Sequence, residues 1–431
     1  MKKKVLFLSI ALAFTIALSA CSVLSDDAVQ GKSVTLSVST MYAGNDSNTK
    51  KYREAVAEWE KKTGNVVEDE STTSDDSYKK RIIMEFQSGA EPDVLFFFNG
   101  VDANPLVQHD RVVSLEEIRE VYPDYAGNMK ESMMPASPSD GKIYAIPVNG
   151  YWEGLFVNKK VLEKAGVKMP DENTTWDEFM EICGTIKEKG YVPIAASLAE
   201  IPHYWFEFCI YNHQNTISHA RVPESLYSAE GFAWMKGLED IKAMYDDGLF
   251  PENTLSISDE QSMKLFLNGE AAFMLDGSWR VGAIEDLGIS DDFAVTFVPG
   301  TETRRTTDII SGLSSGYYIT RTAWEDPEKR EAAVDFVEFM TSDEKVSEFA
   351  EVTATALVDG VQIDRESLSP FYLSCLSMVE NATGSSEAVQ DYVPTSYRAP
   401  IFENMSGIVR GVKEIPAAVE EVITAMKKSE E

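Results

Sequence analysis

The order of apolar and polar segments predicts an α/β fold built on parallel strands, and three observations carry that prediction. Val34-Thr35-Leu36-Ser37-Val38-Ser39 alternates apolar and polar residues, as a half-buried strand does. Tyr52, Val56 and Trp59 then recur at helical spacing over 52–62, and Gly64 supplies a stop. Asp93-Val94-Leu95-Phe96-Phe97-Phe98 is a short apolar run with Gly and Pro nearby, which favours a strand covered on both faces. Between these, 65–69 reads as a second strand and 78–87 as a second amphipathic helix ended by Ser88-Gly89. Strand, helix, strand, helix, strand is the rhythm of a parallel sheet. Such sheets bind ligands outside the carboxyl ends of their strands, here the loops 41–46 and 99–102. Neither loop carries a GxGxxG or Walker pattern, so no nucleotide cradle is expected.

The later elements follow in the same way. Asp140-Gly141-Lys142 is a turn, and Ile143-Tyr144-Ala145-Ile146-Pro147 reads as a strand leaving it. The helix expected over 174–190 opens on Thr175-Trp176-Asp177-Glu178, a capping box. Helical patterns cover 233–248, 258–269, 326–340 and 414–428. Ala271-Ala272-Phe273-Met274-Leu275 is apolar and turns at Asp276-Gly277-Ser278-Trp279.

The 431 residues carry a formal net charge of −32, a field that repels nucleic acid and anionic lipid headgroups. Apolar residues make up 44%, enough for a sizeable core. Cys183, Cys209 and Cys375 lack a disulfide or zinc spacing and read as buried thiols, with a pairing between two of them left open. His109, His203, His213 and His219 form no HExxH, so neither a metal nor a cofactor is expected. At the start, Lys2, Lys3 and Lys4 precede an apolar run over 5–18 that is shorter than the ~20 residues a bilayer requires. This is an export signal. Its end, Leu18-Ser19-Ala20-Cys21, resembles the lipobox of bacterial lipoproteins. The resemblance implies a signal over 1–20, a lipid on Cys21, and a polar stalk over 21–32 that tethers the protein to the membrane's outer face. A Gram-positive surface is the expected setting, the periplasmic face of an inner membrane the alternative.

Four ordered segments point further. They are Gly141-Lys142-Ile143-Tyr144-Ala145-Ile146-Pro147 with Leu155-Phe156-Val157-Asn158-Lys159; Ala165-Gly166-Val167 with Pro170 and Thr175-Trp176-Asp177-Glu178-Phe179; Phe266-Leu267-Asn268-Gly269-Glu270-Ala271-Ala272-Phe273-Met274 with Gly277-Ser278-Trp279; and Gly316-Tyr317-Tyr318-Ile319-Thr320 before a helix with Ala332, Phe336, Phe339 and Met340. Together they make the chain resemble the extracellular solute-binding proteins of carbohydrate ABC importers, the group that includes maltose-binding protein. The resemblance implies a two-lobed α/β fold of the periplasmic-binding type (type II), with a hinge and a ligand cleft between the lobes. It implies a first lobe of 33–147 plus 297–312 and a second of 148–296 plus 313–431. It also implies a monomer that binds a carbohydrate and partners ABC permease subunits, without catalysis.

A sugar site needs aromatic platforms for C–H faces and polar groups for hydroxyls. From lobe one the candidates are Tyr42, Asn45 and Asp46, then Phe98, Asn99 and Asp102. From lobe two they are Tyr151, Trp152, Tyr204, Trp205, Asp276 and Trp279; Ser311 and Gly312 lie near the return crossing, and Tyr397 and Arg398 in a Pro-flanked loop. Alternation sends only one of Tyr151 and Trp152 into the cleft. Phe98 is as well suited to the core, and Asp46 to a loop cap. Trp59, Trp176, Trp234 and Trp324 sit in helical patterns and read as packing residues, and Tyr317-Tyr318 as part of a strand. Two further classes remain in view. One keeps the fold but takes a polyamine, a peptide or an amino-sugar, or serves a sensor kinase. The other is a surface glycoside hydrolase, which would need two carboxylates flanking a glycosidic bond.

Overall fold

The computed structural model describes residues 33–429, apart from 75, 130–133, 201–202, 215–217, 354 and 356–364. The signal, Cys21 and the stalk expected over 1–32 lie outside the described residues. The strands are β1 (Thr35–Ser39), β2 (Val66–Asp69), β3 (Val94–Phe98), β4 (Tyr151–Asn158), β5 (Val192–Ala195), β6 (Ala271–Gly277), β7 (Phe293–Thr296), β8 (Asp308–Gly312), β9 (Ser315–Ile319) and β10 (Gly384–Ser386). They form two open sheets. The first runs β2-β1-β3-β9; the second runs β10-β8-β4-β6-β5, with β7 also paired to β4.

In the first sheet β1 is parallel to both β2 and β3, as the strand–helix rhythm predicts, while β9 joins antiparallel, Phe96 opposite Tyr317. The helix Asn48–Thr63 ends at Gly64, whose φ of 77° is the left-handed conformation a helix stop requires. Tyr52 and Trp59 are buried on its inner face. Every residue of β3 is buried, because helices cover both faces. The first core gathers these strands with the helices Pro327–Met340 and Asp343–Thr353. Tyr317 and Tyr318 are buried in β9, the structural role their position suggested.

The second sheet is mixed. Its central strand β4 sends alternate residues to opposite faces. Leu155 and Val157 enter one core with the helices His203–Tyr211 and Ala229–Asp246, while Trp152 and Phe156 enter another with Phe371 and Cys375. The capping box expected at Thr175 forms with Glu178, and Ser258 with Gln261 makes a second. Cys183, Cys209 and Cys375 are free and buried.

Two expectations need correction. The segment 143–147 forms single bridges, Ile143 to Ala136 and Ile146 to Tyr317, rather than a strand. Pro147 offers no N–H to extend that ladder. The segment 297–312 does not join the first sheet either. Its strand β8 lies along β4, Gly312 opposite Tyr151 and Ile310 opposite Glu153. The chain therefore returns to the first sheet only at Leu313-Ser314, and 315–353 belongs with the first core.

Candidate functional site

The core that holds Leu155 and Val157, the second core, meets the first along a seam where short loops from both sheets touch. On one side, Ser47, just before the first helix, accepts hydrogen bonds at Oγ from the Gly282 and Ala283 amides (2.9 and 3.3 Å) and donates to the Trp279 carbonyl (2.7 Å). On the other side, Gly100 lies against the backbone of Asp391. A Cβ at position 100 would sit 2.4 Å from the Asp391 carbonyl oxygen, so only glycine permits this approach.

Beside Gly100 the charges are paired. Asp102 receives Lys79 Nζ at 2.8 Å, Thr395 Oγ1 at 3.1 Å and Arg398 Nη2 at 3.4 Å. Lys79 comes from the helix Asp76–Ser88 of the first core, Arg398 from the helix Thr395–Phe402 packed on the second. Burial pushes the Asp102 carboxyl up, but Lys79 and Arg398 outweigh it and hold it below the usual range. Lys79 also lies over the Phe98 ring, 4.1 Å from its centroid, and reaches Gln390 at 3.4 Å.

Three aromatic rings stand half-buried on the second-core wall of the seam. Trp279 packs against Tyr204, centroids 5.8 Å apart, and Tyr151, 6.4 Å apart. Gly277 makes this possible: a Cβ there would lie 2.2 Å from a Trp279 ring carbon. Tyr151 donates to Asp391 Oδ2 at 2.9 Å and accepts from the Ala388 amide at 2.8 Å. Behind the rings, Asp276 binds Arg280 Nε at 2.9 Å and Asp259 binds Arg280 Nη2 at 2.7 Å. Burial raises Asp259 to about 6 despite Arg280.

The same wall holds carboxylates without such partners. Glu153 is 1% exposed and Glu207 0% exposed, and neither has a hydrogen-bond donor to its oxygens among the described residues. Asp391 Oδ1 is likewise unpaired. Burial first, then mutual repulsion with Glu207, Asp276 and Asp391, pushes the Glu153 carboxyl far up. Burial also raises Glu207, against a Val389 amide that points toward it without reaching hydrogen-bond geometry. Asp391 is pushed up to about 7, by burial first, with its Tyr151 hydrogen bond opposing.

The sequence candidates divide accordingly. Tyr151, Tyr204, Asp276 and Trp279 come together on the wall, and Asp102 and Arg398 join across the seam. Tyr151 is the member of its pair that faces the seam; Trp152 is buried and stacks on Phe156 in the opposite core. Tyr42, Phe98 and Trp205 are also core residues, Tyr42 against Phe96 and Trp205 stacked on Phe179. Asn99 ties β3 to the crossing, donating from Nδ2 to the Leu313 carbonyl at 2.7 Å. Asp46 caps its own loop through the Asn48 amide (2.8 Å), and burial raises it to about 6. Asn45 is exposed. Ser311 pairs with Ser385 at 2.6 Å, Gly312 packs against the Tyr151 ring, and Tyr397 packs at the edge of the second core. Glu153 and Glu207 were not among the candidates. Their signal was a lone charge inside an apolar strand and inside the apolar helix HYWFEFCIY. Among the described residues no group of three His, Cys, Asp or Glu could hold a metal ion.

The comparisons agree with this architecture. Residues 45–346 match the family model described as bacterial extracellular solute-binding protein. The chain is 26% identical over 228 residues to the melibiose/raffinose/stachyose-binding protein MelE of Bacillus subtilis (strain 168), covering 50% of each chain. It is 22% identical over 253 residues to the multiple sugar-binding protein of Streptococcus mutans, covering 56% of this chain and 58% of that one. The matches thus span about half the length of these relatives. Among solved structures, a chitin oligosaccharide binding protein superposes with a TM-score of 0.78 at 18% identity, covering 92% of this chain and 99% of that one. The solute-binding protein RafE in complex with raffinose does so at 0.70 and 18%, with coverage of 92% and 99%. These structural neighbours are two-lobed solute-binding proteins, not enzymes. With the family model covering more than half of the chain, the protein belongs to the bacterial extracellular solute-binding proteins.

Proposed function

We propose that this protein is the lipid-anchored, extracellular capture component of an ABC importer for a carbohydrate. The ligand sits in the seam between the lobes, the lobes close on it by a hinge motion, and the loaded protein delivers it to a membrane permease. The observation that carries the reading is the half-buried cluster of Tyr151, Tyr204 and Trp279 at the seam, flanked by carboxylates. Aromatic faces match the C–H faces of a sugar ring, and carboxylates accept from its hydroxyls. The sugar ligands in the relatives' names support the same reading. Hinge residues are the crossings at 148–150 and Leu313-Ser314, where the chain passes between sheets. Ligand shifts the open–closed balance by its contacts to both lobes. The chain works as a monomer without a cofactor, and Cys21 carries the lipid.

Thermal unfolding of the purified protein against a panel of mono- and oligosaccharides tests capture. A ligand at ~100 times its Kd adds ~2.7 kcal/mol, a shift of a few degrees. One saccharide class raising Tm supports the reading; a panel without effect contradicts it. Release of a Cys21→Ala variant from the membrane fraction into the medium tests the anchor.

A further inference from the structure

Resting on the sugar-capture reading, we infer that the saccharide carries a protonated amine, and that Glu153, Glu207 and Asp391 form its ammonium subsite beside the aromatic wall.

The argument starts from local charge. Three cations lie near the wall among the described residues, and each is committed. Arg280 binds both Asp259 and Asp276. Lys79 and Arg398 converge on Asp102. They influence Asp391 and Glu207 through space, but hydrogen-bond neither. Glu153, Glu207 and one oxygen of Asp391 are left with no donor among the described residues, although Glu153 and Glu207 are almost wholly buried. Buried without a partner, these carboxyls keep their protons rather than ionise, and a cation seated among them is what would let them ionise.

A neutral sugar would offer hydroxyl donors but leave the net charge of this corner unchanged. An ammonium offers three donors and a positive charge at once. The surrounding groups suit it. Tyr151 links the two halves of the wall, its hydroxyl on Asp391 and its ring against Trp279. An ammonium held by Asp391 therefore lies next to aromatic faces that attract cations, while the sugar ring carrying it stacks on Trp279 and Tyr204. The topology supports the same placement. Glu153 shares its face of β4 with Tyr151, two residues away, and Glu207 lies one helical turn after Tyr204. Asp391 borders the first lobe at Gly100, which places this edge of the subsite at the seam between the lobes. The whole chain's charge of −32 favours approach of a cationic ligand.

The experiment is isothermal titration of the full chain at pH 7 with four probes: the β-1,4-linked glucosamine disaccharide, its N-acetylated counterpart, cellobiose, and spermidine. The three disaccharides share backbone geometry and differ at the amine. The account predicts that the free-amine disaccharide binds at least ~10-fold tighter than either neutral one. In Glu207→Gln that ratio falls to near one. Glu153→Gln provides a second variant, with circular dichroism checking the fold of each. Neutral disaccharides binding as tightly as the amine overturn the inference and leave sugar capture standing, as does a ratio that survives in both folded variants. Spermidine matching the amino disaccharide overturns it by showing that the sugar ring contributes nothing. Binding of none of the disaccharides also overturns the inference, while sugar capture itself stands or falls with the thermal-unfolding panel.

Discussion

The two sides of the seam treat charge in opposite ways. On the first-lobe side, Asp102 is buried with two cations and a hydroxyl around it, and its carboxyl is held low. On the second-lobe side, Glu153 and Glu207 are buried at least as deeply, have no donors among the described residues, and are pushed high. Burial is common to both; what differs is the supply of donors, which Asp102 receives from Lys79 of its own lobe and from Thr395 and Arg398 of the other. A carboxylate satisfied across the seam, such as Asp102, holds the lobes together. Carboxylates left unsatisfied beside aromatic faces mark where something else must dock.

The first way to break this comparison is to prevent the close approach of the lobes. Gly100→Val places carbon atoms into the Asp391 carbonyl, and the account predicts a ~100-fold loss of saccharide affinity by calorimetry, with secondary structure retained. Asp102→Asn leaves Lys79 and Arg398 without their carboxylate, weakening closure rather than blocking it. An affinity loss of ~10-fold is expected, and an unchanged affinity would mean the triad only decorates the seam.

The unsatisfied wall gives a pH signature. Glu153, Glu207 and Asp391 hold protons more tightly folded than unfolded, so their stabilisation is complete below ~4 and is lost as pH rises through their folded values, about 7 for Asp391. Asp46 and Asp259, both at about 6, act in the same direction. His219, pushed down to about 4 by burial, opposes them: its contribution is present above ~6.5 and fades as pH falls toward 4. The lowered Asp102 opposes them too, losing its contribution only in acid. The carboxyls outnumber these, so Tm should be roughly 5 °C higher at pH 5 than at pH 8, and Glu153→Gln should narrow the gap. A Tm that rises from pH 5 to pH 8 would show that the wall's carboxyls are ionised at low cost. The smallest effect is expected at Asn45, exposed on its loop, where Asn45→Ala should change saccharide affinity less than ~2-fold.

How far the sequence reached follows the same division. Local chemistry was legible. The capping box at Thr175, the stop at Gly64 and the all-apolar β3 announce themselves within a few residues. Trp279 entered as a candidate through the resemblance, which its Gly-Ser-Trp turn helps to carry. Burial that depends on distant segments was not legible. Tyr42 and Trp205 look like loop and cleft aromatics until Phe96 and Phe179 are seen packed against them. Glu153 and Glu207 are two of 71 acidic residues, distinguished only by the apolar elements that enclose them. The return crossing falls beside Ser311-Gly312 as expected, but the sheet to which 297–312 belongs was not legible, because β8 and β9, separated by two residues, pair into different sheets.

The central claim is that the ligand docks on the Tyr151–Tyr204–Trp279 wall, and paired tryptophan variants test it most directly. Trp279→Ala and Trp205→Phe are titrated by calorimetry with the saccharide that raises Tm most. The account predicts a ~100-fold loss or more in Trp279→Ala and retention within ~3-fold in Trp205→Phe, which keeps the core filled. Full affinity in a folded Trp279→Ala protein would contradict the account and move the site off this wall.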